Sequence, residues 1–226
     1  MEITVIGSSN EFARGFITWA VPAQDVTIVG PNRMAAEMFV RGLGAGAAAG
    51  PADPLRTDII VFALPYVCLR PVWESYGDQF DGKVVVDLLI PVDLETGELI
   101  HPEAGSAAEE ITQALPRARV VKAFNPGFAG SLVAEQPMAP PRDVLLASDD
   151  RGAKRLVARL FEEGGMRAID VGPLRRAREL EAFGYLHFVL GQPSRRARST
   201  QSVHRRRRRR WAASAIHRPP GERGNR

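Results

Sequence analysis

The chain has 226 residues, 45% hydrophobic and 25% charged, which is enough for one sizeable core and little more. Its single cysteine, Cys68, excludes an intramolecular disulfide and suits a reducing cytoplasm; in its apolar stretch a buried, inert thiol is expected. The net charge of +4 hides an asymmetry: 12 of the 30 basic residues and one of the 26 acids lie from Pro193 onward, leaving residues 1–192 with 18 basic and 25 acidic side chains.

Ile3, Val5 and Ile6 predict a buried parallel strand that ends at Gly7. Ser8, Ser9 and Asn10 form a polar turn, after which Phe12, Phe16, Ile17 and Trp19 recur at helical spacing. Strand, tight turn and helix in that order aim the N–H groups of a helix N-terminus at whatever lies over the turn, and favour an anion there. The dinucleotide fingerprint G-x-G-x-x-G is not present. Its positions fall on Gly7, Ser9 and Phe12 in one register, and on Ser8, Asn10 and Ala13 in the next. The second register is preferred: Ser is small, Asn tolerates left-handed backbone, and Ala permits close helix–strand packing. The competing reading is an ordinary turn with Asn10 near the helix N-cap.

Asp25–Val29 is a second strand, ended by Gly30-Pro31-Asn32-Arg33. An acid at this strand end would bind the ribose hydroxyls of NAD. Asn32 and Arg33 stand there instead, and a guanidinium suits a 2′-phosphate, which favours NADP. A helix over Met34–Leu43 is expected to turn Met34, Met38 and Phe39 to the sheet. Residues 42–50 are a loop or a short, weak strand. Asp58–Ala63 is a strong buried strand, with Leu64, Pro65 and Tyr66 at its carboxyl end, where open α/β sheets bind ligands. Further on come a helix over Val67–Phe80 and a strand over Lys83–Leu89. A helix over Ser106–Leu115 opens with a Ser106/Glu109 capping box, and a strand follows over Arg119–Phe124. A short helix to about Glu135, a Pro-rich loop and a strand over Val144–Ala147 come next. A helix then runs from Asp149–Asp150 to Glu163, followed by a strand over Ala168–Val171 and a last helix to about Leu190. The alternation predicts an α/β, Rossmann-like, doubly wound and mostly parallel sheet with helices on both faces. Leu180, Phe183, Leu186 and Leu190 on the last helix offer either a homodimer face or a cover for the sheet.

No His/Cys/Glu spacing suggests a metal site, and there is no nucleophile elbow or P-loop. His101, His187, Asp87, Asp93 and Asp149–Asp150 show no acid–base pairing, so no catalytic residue is assigned. Hydride transfer between two bound cofactors fits such a chain, because the protein need only hold them face to face in a dry cleft.

The segments MEITVIGSSN, VTIVGPNR, DIIVFALPY, GKVVVDLLIPV, SAAEEI, RVVKAFN, LLASDD and DVGPLRRARELE resemble, in order, the family of deazaflavin (coenzyme F420)-dependent NADP reductases. The resemblance covers about Met1 to Leu190 and implies an NADP-binding Rossmann domain with the deazaflavin stacked on the nicotinamide. The family shares this domain with pyrroline-carboxylate reductases. Ser8 to Ala13 stand where the family's phosphate loop stands, which makes Gly7, Ser8, Ser9, Asn10, Glu11 and Phe12 cofactor-binding candidates. Asn32 and Arg33 match the 2′-phosphate site. Leu64, Pro65 and Tyr66 match a segment that lines the dinucleotide, and Ala123 to Asn125 a strand end close to the nicotinamide. The expected activity is hydride transfer between NADP(H) and F420. The alternatives are an NADPH-dependent reductase of a small imine or keto substrate, using Lys122, and a non-catalytic dinucleotide-binding module. Two departures stand out: Ser8, Asn10 and Ala13 replace the family's glycines, and the family's C-terminal helices give way to an arginine-rich tail.

That tail, 193–226, contains the run Arg205–Arg210 and is expected to be disordered. It reads as a solvated extension or a shifted reading frame; nucleic acid is not an expected partner, the arginine run being the one feature that would favour it. The N-terminus lacks the marks of a signal peptide and no apolar run is long enough to span a bilayer, so a cytoplasmic protein without a membrane partner is expected.

Overall fold

The computed structural model describes residues 1–7, 11–93, 95–125 and 143–191, with backbone alone for 11, 12 and 191. Four apolar runs expected as strands do form buried strands: β1 (Glu2–Ile6), β2 (Asp25–Val29), β4 (Ile59–Phe62) and β5 (Val84–Asp87). β6 (Arg119–Phe124) has the bounds expected of it, and β7 (Asp143–Ala147) and β8 (Arg167–Gly172) each start one residue early. The weak Ala-rich segment forms a three-residue strand, β3 (Ala47–Ala49). The eight strands make one sheet in the order β3-β2-β1-β4-β5-β6-β7-β8. From β3 to β6 every neighbouring pair is parallel; β7 then pairs antiparallel to β6, and β8 runs parallel to β7. The sheet is therefore Rossmann-like and mostly parallel, with one reversal. The connection that makes it, including the short helix and Pro-rich loop expected over 126–142, lies outside the described residues.

Helices cover both faces. α1 (Glu11–Ala20) buries Ala13, Phe16, Ile17 and Ala20 at helical spacing and leaves Arg14 and Thr18 exposed. With α5 (Arg151–Glu163) it packs on Val5, Ile28, Val61, Val86 and Val121. Asp150 caps α5, its side chain accepting from Ala153 N–H at 2.8 Å. The opposite face, with Ile6, Ile60, Phe62 and Val85, is covered by α3 (Leu69–Tyr76) and α4 (Ala107–Ala114). Ser106 caps α4 through Glu109 N–H, and its hydroxyl donates to the Glu109 carboxylate at 2.8 Å, so the capping box closes through the hydroxyl. α6 (Ala177–Gly191) is the last described element. Met1–His187 form one compact unit.

Three expectations are corrected. Met34 and Met38 do not face the sheet: they are 70% and 66% exposed, because α2 (Arg33–Leu43) turns Ala36, Phe39, Val40 and Leu43 inward. Cys68 is exposed, not buried: the segment after Pro65 is a 3-10 turn, Tyr66–Cys68, that sends Val67 and Cys68 outward before Leu69 enters the core. The single helix expected over Val67–Phe80 is split into that turn, α3 and a second 3-10 turn, Gly77–Phe80, with Gly77 at φ 51°.

Candidate cofactor site at the carboxyl edge of the sheet

Chain order leaves β1 and meets its neighbours β2 and β4 on opposite sides, so the strand order reverses at β1. Ligands of open α/β sheets bind outside the carboxyl ends of the strands at such a point. Gly7 occupies it. Its N–H donates to Val29 O at 2.9 Å, and Ala63 N–H donates to Ile6 O at 3.0 Å, so the chain crosses between the ends of β2 and β4. Gly7 has φ +125°, and a Cβ placed on it would lie 2.1 Å from the Ala63 carbonyl oxygen. No other residue fits there, so Gly7 makes the tight turn by which the chain leaves β1. Ser8, Ser9 and Asn10 lie outside the described residues, as do the side chains of Glu11 and Phe12, whose backbone begins α1.

At the end of β2, Asn32 is the N-cap of α2, its side chain accepting from Ala35 N–H at 2.8 Å. Arg33 opens the helix and pairs with Asp53, which also accepts from Gly50 N–H at 2.7 Å. That N–H bond and the Arg33 guanidinium hold the Asp53 carboxyl below the usual carboxylate range. Arg33 and Asp53 line a cavity of about 260 Å³, together with Thr27, Val29, Ala49 and Arg56.

At the end of β4, Leu64 is buried, Pro65 is half-buried at φ −61°, and Tyr66 follows. The Tyr66 hydroxyl donates to Glu110 at 2.5 Å; burial, reinforced by that carboxylate, pushes the phenol well above its ordinary range. At the end of β6, Ala123 is wholly buried in the core under α1 and α5. Asn125 is also buried, its amide donating to Asp143 O at 3.1 Å. Gly7, Asn32, Arg33, Leu64–Tyr66 and Asn125 thus share one edge of the sheet, each just past a strand's carboxyl end. A larger cleft of about 610 Å³, lined by Ser148, Arg151, Lys154 and Asp170, lies at the opposite edge, because β7 and β8 run against β6.

The sequence left one cluster unassembled. Lys122 on β6 and Asp87 on β5 are register partners, their charged atoms 3.0 Å apart, and Glu181 of α6 approaches the same ammonium at 3.1 Å. Lys122 also donates to Leu89 O, and Asp87 accepts from Leu89 N–H at 2.8 Å, so the pair fixes the chain just after β5. Glu181 further accepts from Ala107 and Ala108 N–H at the start of α4. Burial alone would lower the Lys122 ammonium, but Asp87 and Glu181 outweigh it and hold its pKa above the ordinary value; burial raises the Glu181 carboxyl. The signal was present in KVVVDLL and RVVKAF, where Asp87 and Lys122 each follow a run of apolar residues in a buried strand. Among the described residues no group of His, Cys, Asp or Glu is placed to hold a metal ion, and no helix is long and apolar enough to cross a membrane.

No family model matches the chain. Among curated proteins it is 30% identical over 198 residues to an F420-dependent NADP reductase of Methanothermobacter thermautotrophicus, covering 80% of the chain and 85% of that protein. It is 29% identical over 130 residues to an F420-dependent NADP reductase of Methanocaldococcus jannaschii, covering 55% of the chain and 58% of that relative's length. Among solved structures, a hypothetical protein of Sinorhizobium meliloti superposes with a TM-score of 0.66 at 22% identity, covering 77% of this chain and 86% of that one, and shows the shared fold.

Proposed function

The chain belongs to the family of F420-dependent NADP reductases, and from that premise we propose that it transfers hydride between NADP(H) and the deazaflavin F420. The observation that carries the reading is the crossing at Gly7, where a turn that only glycine fits stands at the reversal point of the sheet although Ser8, Asn10 and Ala13 replace the family's glycines. The residues fit a dinucleotide. Gly7 makes the tight exit from β1, Ser8–Asn10 and the start of α1 at Glu11 and Phe12 would meet the pyrophosphate, and Arg33 would hold a 2′-phosphate through charge-assisted hydrogen bonds. Asn32 supports Arg33 by capping its helix. Leu64, Pro65 and Tyr66 wall the crevice, and Asn125 braces the end of β6. When bound, the nicotinamide and the deazaflavin supply hydride donor and acceptor, so the protein's part is to orient them and keep water out.

The state of Lys122 supports this reading over reduction of an imine or keto substrate. Its ammonium faces two carboxylates and a carbonyl, and its side chain is 1% exposed. A proton donor to substrate must reach the substrate. A cytoplasmic homodimer belongs to the same proposal, supported by the free thiol of Cys68 and by Phe183 and Leu186, exposed on α6 although Leu180 is buried. The division into a domain over 1–192 and an arginine-rich tail over 193–226 is proposed from composition.

The test is optical. NADPH and oxidised F420 are mixed with and without the protein, and loss of the deazaflavin absorbance on adding protein is the expected result. No change with intact cofactors removes the assignment.

A further inference from the structure

β2 ends without the acid that would bind an adenosine ribose, yet the fold supplies one from elsewhere. The turn after β3 brings the Asp53 carboxylate onto Arg33, at the end of β2, where the proposed function needs a free guanidinium. Gly50 N–H anchors the carboxylate there, and both side chains line the same 260 Å³ cavity, with Thr27 and Val29 of β2 in its wall. The pair is open to solvent, the side chains being 57% and 35% exposed, so an arriving group can compete for either partner.

A carboxylate in this place treats the two dinucleotides oppositely. It competes with a 2′-phosphate for the guanidinium and repels it as a like charge. To the 2′-hydroxyl of NAD it offers a hydrogen-bond acceptor. Arg56, which also acts on Asp53, offsets part of the repulsion. We infer that Asp53 is a specificity-determining residue that moderates the preference of this site for NADP over NAD by holding Arg33. The inference rests on the proposed meeting of Arg33 with the 2′-phosphate.

Calorimetric titration of the full chain with NADP and with NAD tests it, using Asp53→Asn and Arg33→Ala beside the unaltered protein. Asparagine keeps an acceptor for Gly50 N–H and removes the charge. The expected result is a rise of about tenfold in the ratio of NADP to NAD affinity for Asp53→Asn, carried by tighter NADP binding, and a steeper fall of NADP affinity with salt. If that variant melts early, Asp53→Ser, with a hydroxyl acceptor, is read in its place. An unchanged ratio in Asp53→Asn while Arg33→Ala loses NADP affinity overturns this inference and leaves the cofactor reading standing. NADP affinity unmoved in Arg33→Ala overturns both.

Discussion

Two ion clusters sit at the carboxyl edge of the sheet, built from the same chemistry and set in opposite surroundings. At the end of β2, Arg33 and Asp53 are open to water. At the ends of β5 and β6, Lys122, Asp87 and Glu181 are 1%, 0% and 4% exposed. Water decides what each can do. An exposed pair is worth little and exchanges partners easily, which suits a group that must let go of one anion to take another. A buried cluster has no substitute partner, so it works as a fixture. The buried cluster carries two carboxylates against one ammonium, and the first N–H groups of α4 supply the remaining positive potential to Glu181. It thereby ties β5, β6, α4 and α6 together.

The comparison breaks first at Lys122. Lys122→Met leaves two carboxylates buried without their cation and should cost about 3–5 kcal/mol, read by urea unfolding. A loss near zero would mean that water reaches the cluster and that the contrast in burial is wrong. The same ammonium predicts a pH dependence. Its pKa is raised above 10.5, so its stabilisation is complete below that pH and is lost as the pH climbs through the folded-state value. The unfolding free energy of the unaltered protein should fall through that alkaline window.

Gly7→Ala comes next. The added methyl must displace the Ala63 carbonyl and hold φ near +125°, at a cost of about 1–3 kcal/mol from the backbone alone, with loss of NADP binding beyond the loss of stability. Retained NADP affinity in a folded Gly7→Ala protein would take the dinucleotide away from the reversal point.

Glu181→Gln sharpens the comparison within the buried cluster, because it leaves a neutral Lys122–Asp87 pair. The expected loss is about 1–2 kcal/mol, smaller than for Lys122, from an amide set against the N–H groups of α4. The pH dependence has the unusual sign for an acid. With the folded pKa raised above 4.5, the native state keeps a proton that the unfolded chain has lost, so stability falls as the pH rises from 4.5 to the folded-state value. Glu181→Gln should remove that slope; an unaltered slope would place its origin in another group.

The sequence made the fold legible because buried parallel strands are short apolar runs, and DIIVFA, KVVVDLL and RVVKAF announce themselves. Gly7 was legible for the same reason, as the residue that ends the first run. The reversal at β7 was not, because strand direction depends on the path of 126–142 and not on the pattern of Val144–Ala147. Met34 and Met38 misled because α2 has apolar residues on two sides, and only packing chooses Phe39, Val40 and Leu43 over the methionines. Asp87 and Lys122 are 35 residues apart and Glu181 lies on another element, so their meeting needed the register of β5 on β6. Asp53 was hidden likewise: the acid searched for at the end of β2 arrives from a turn 20 residues beyond Arg33.

The smallest expected effect belongs to the exposed pair, and it is the one that separates the two clusters most cleanly. Asp53→Asn should leave the melting temperature at neutral pH without a resolvable shift while it moves the NADP-to-NAD ratio. The carboxylate's contribution is present above its unfolded value of 3.8 and disappears as the pH falls through its lowered folded value, so the two proteins should diverge, if anywhere, only above that acid window. At neutral pH, solvent screening and the freedom of two exposed side chains leave the pair little to contribute to folding. A clear drop in melting temperature would show that the Asp53 charge, and not only its bond to Gly50 N–H, holds the turn after β3. The pair at the end of β2 would then be a fixture like the one at β5 and β6, and solvent exposure would no longer explain the difference between them.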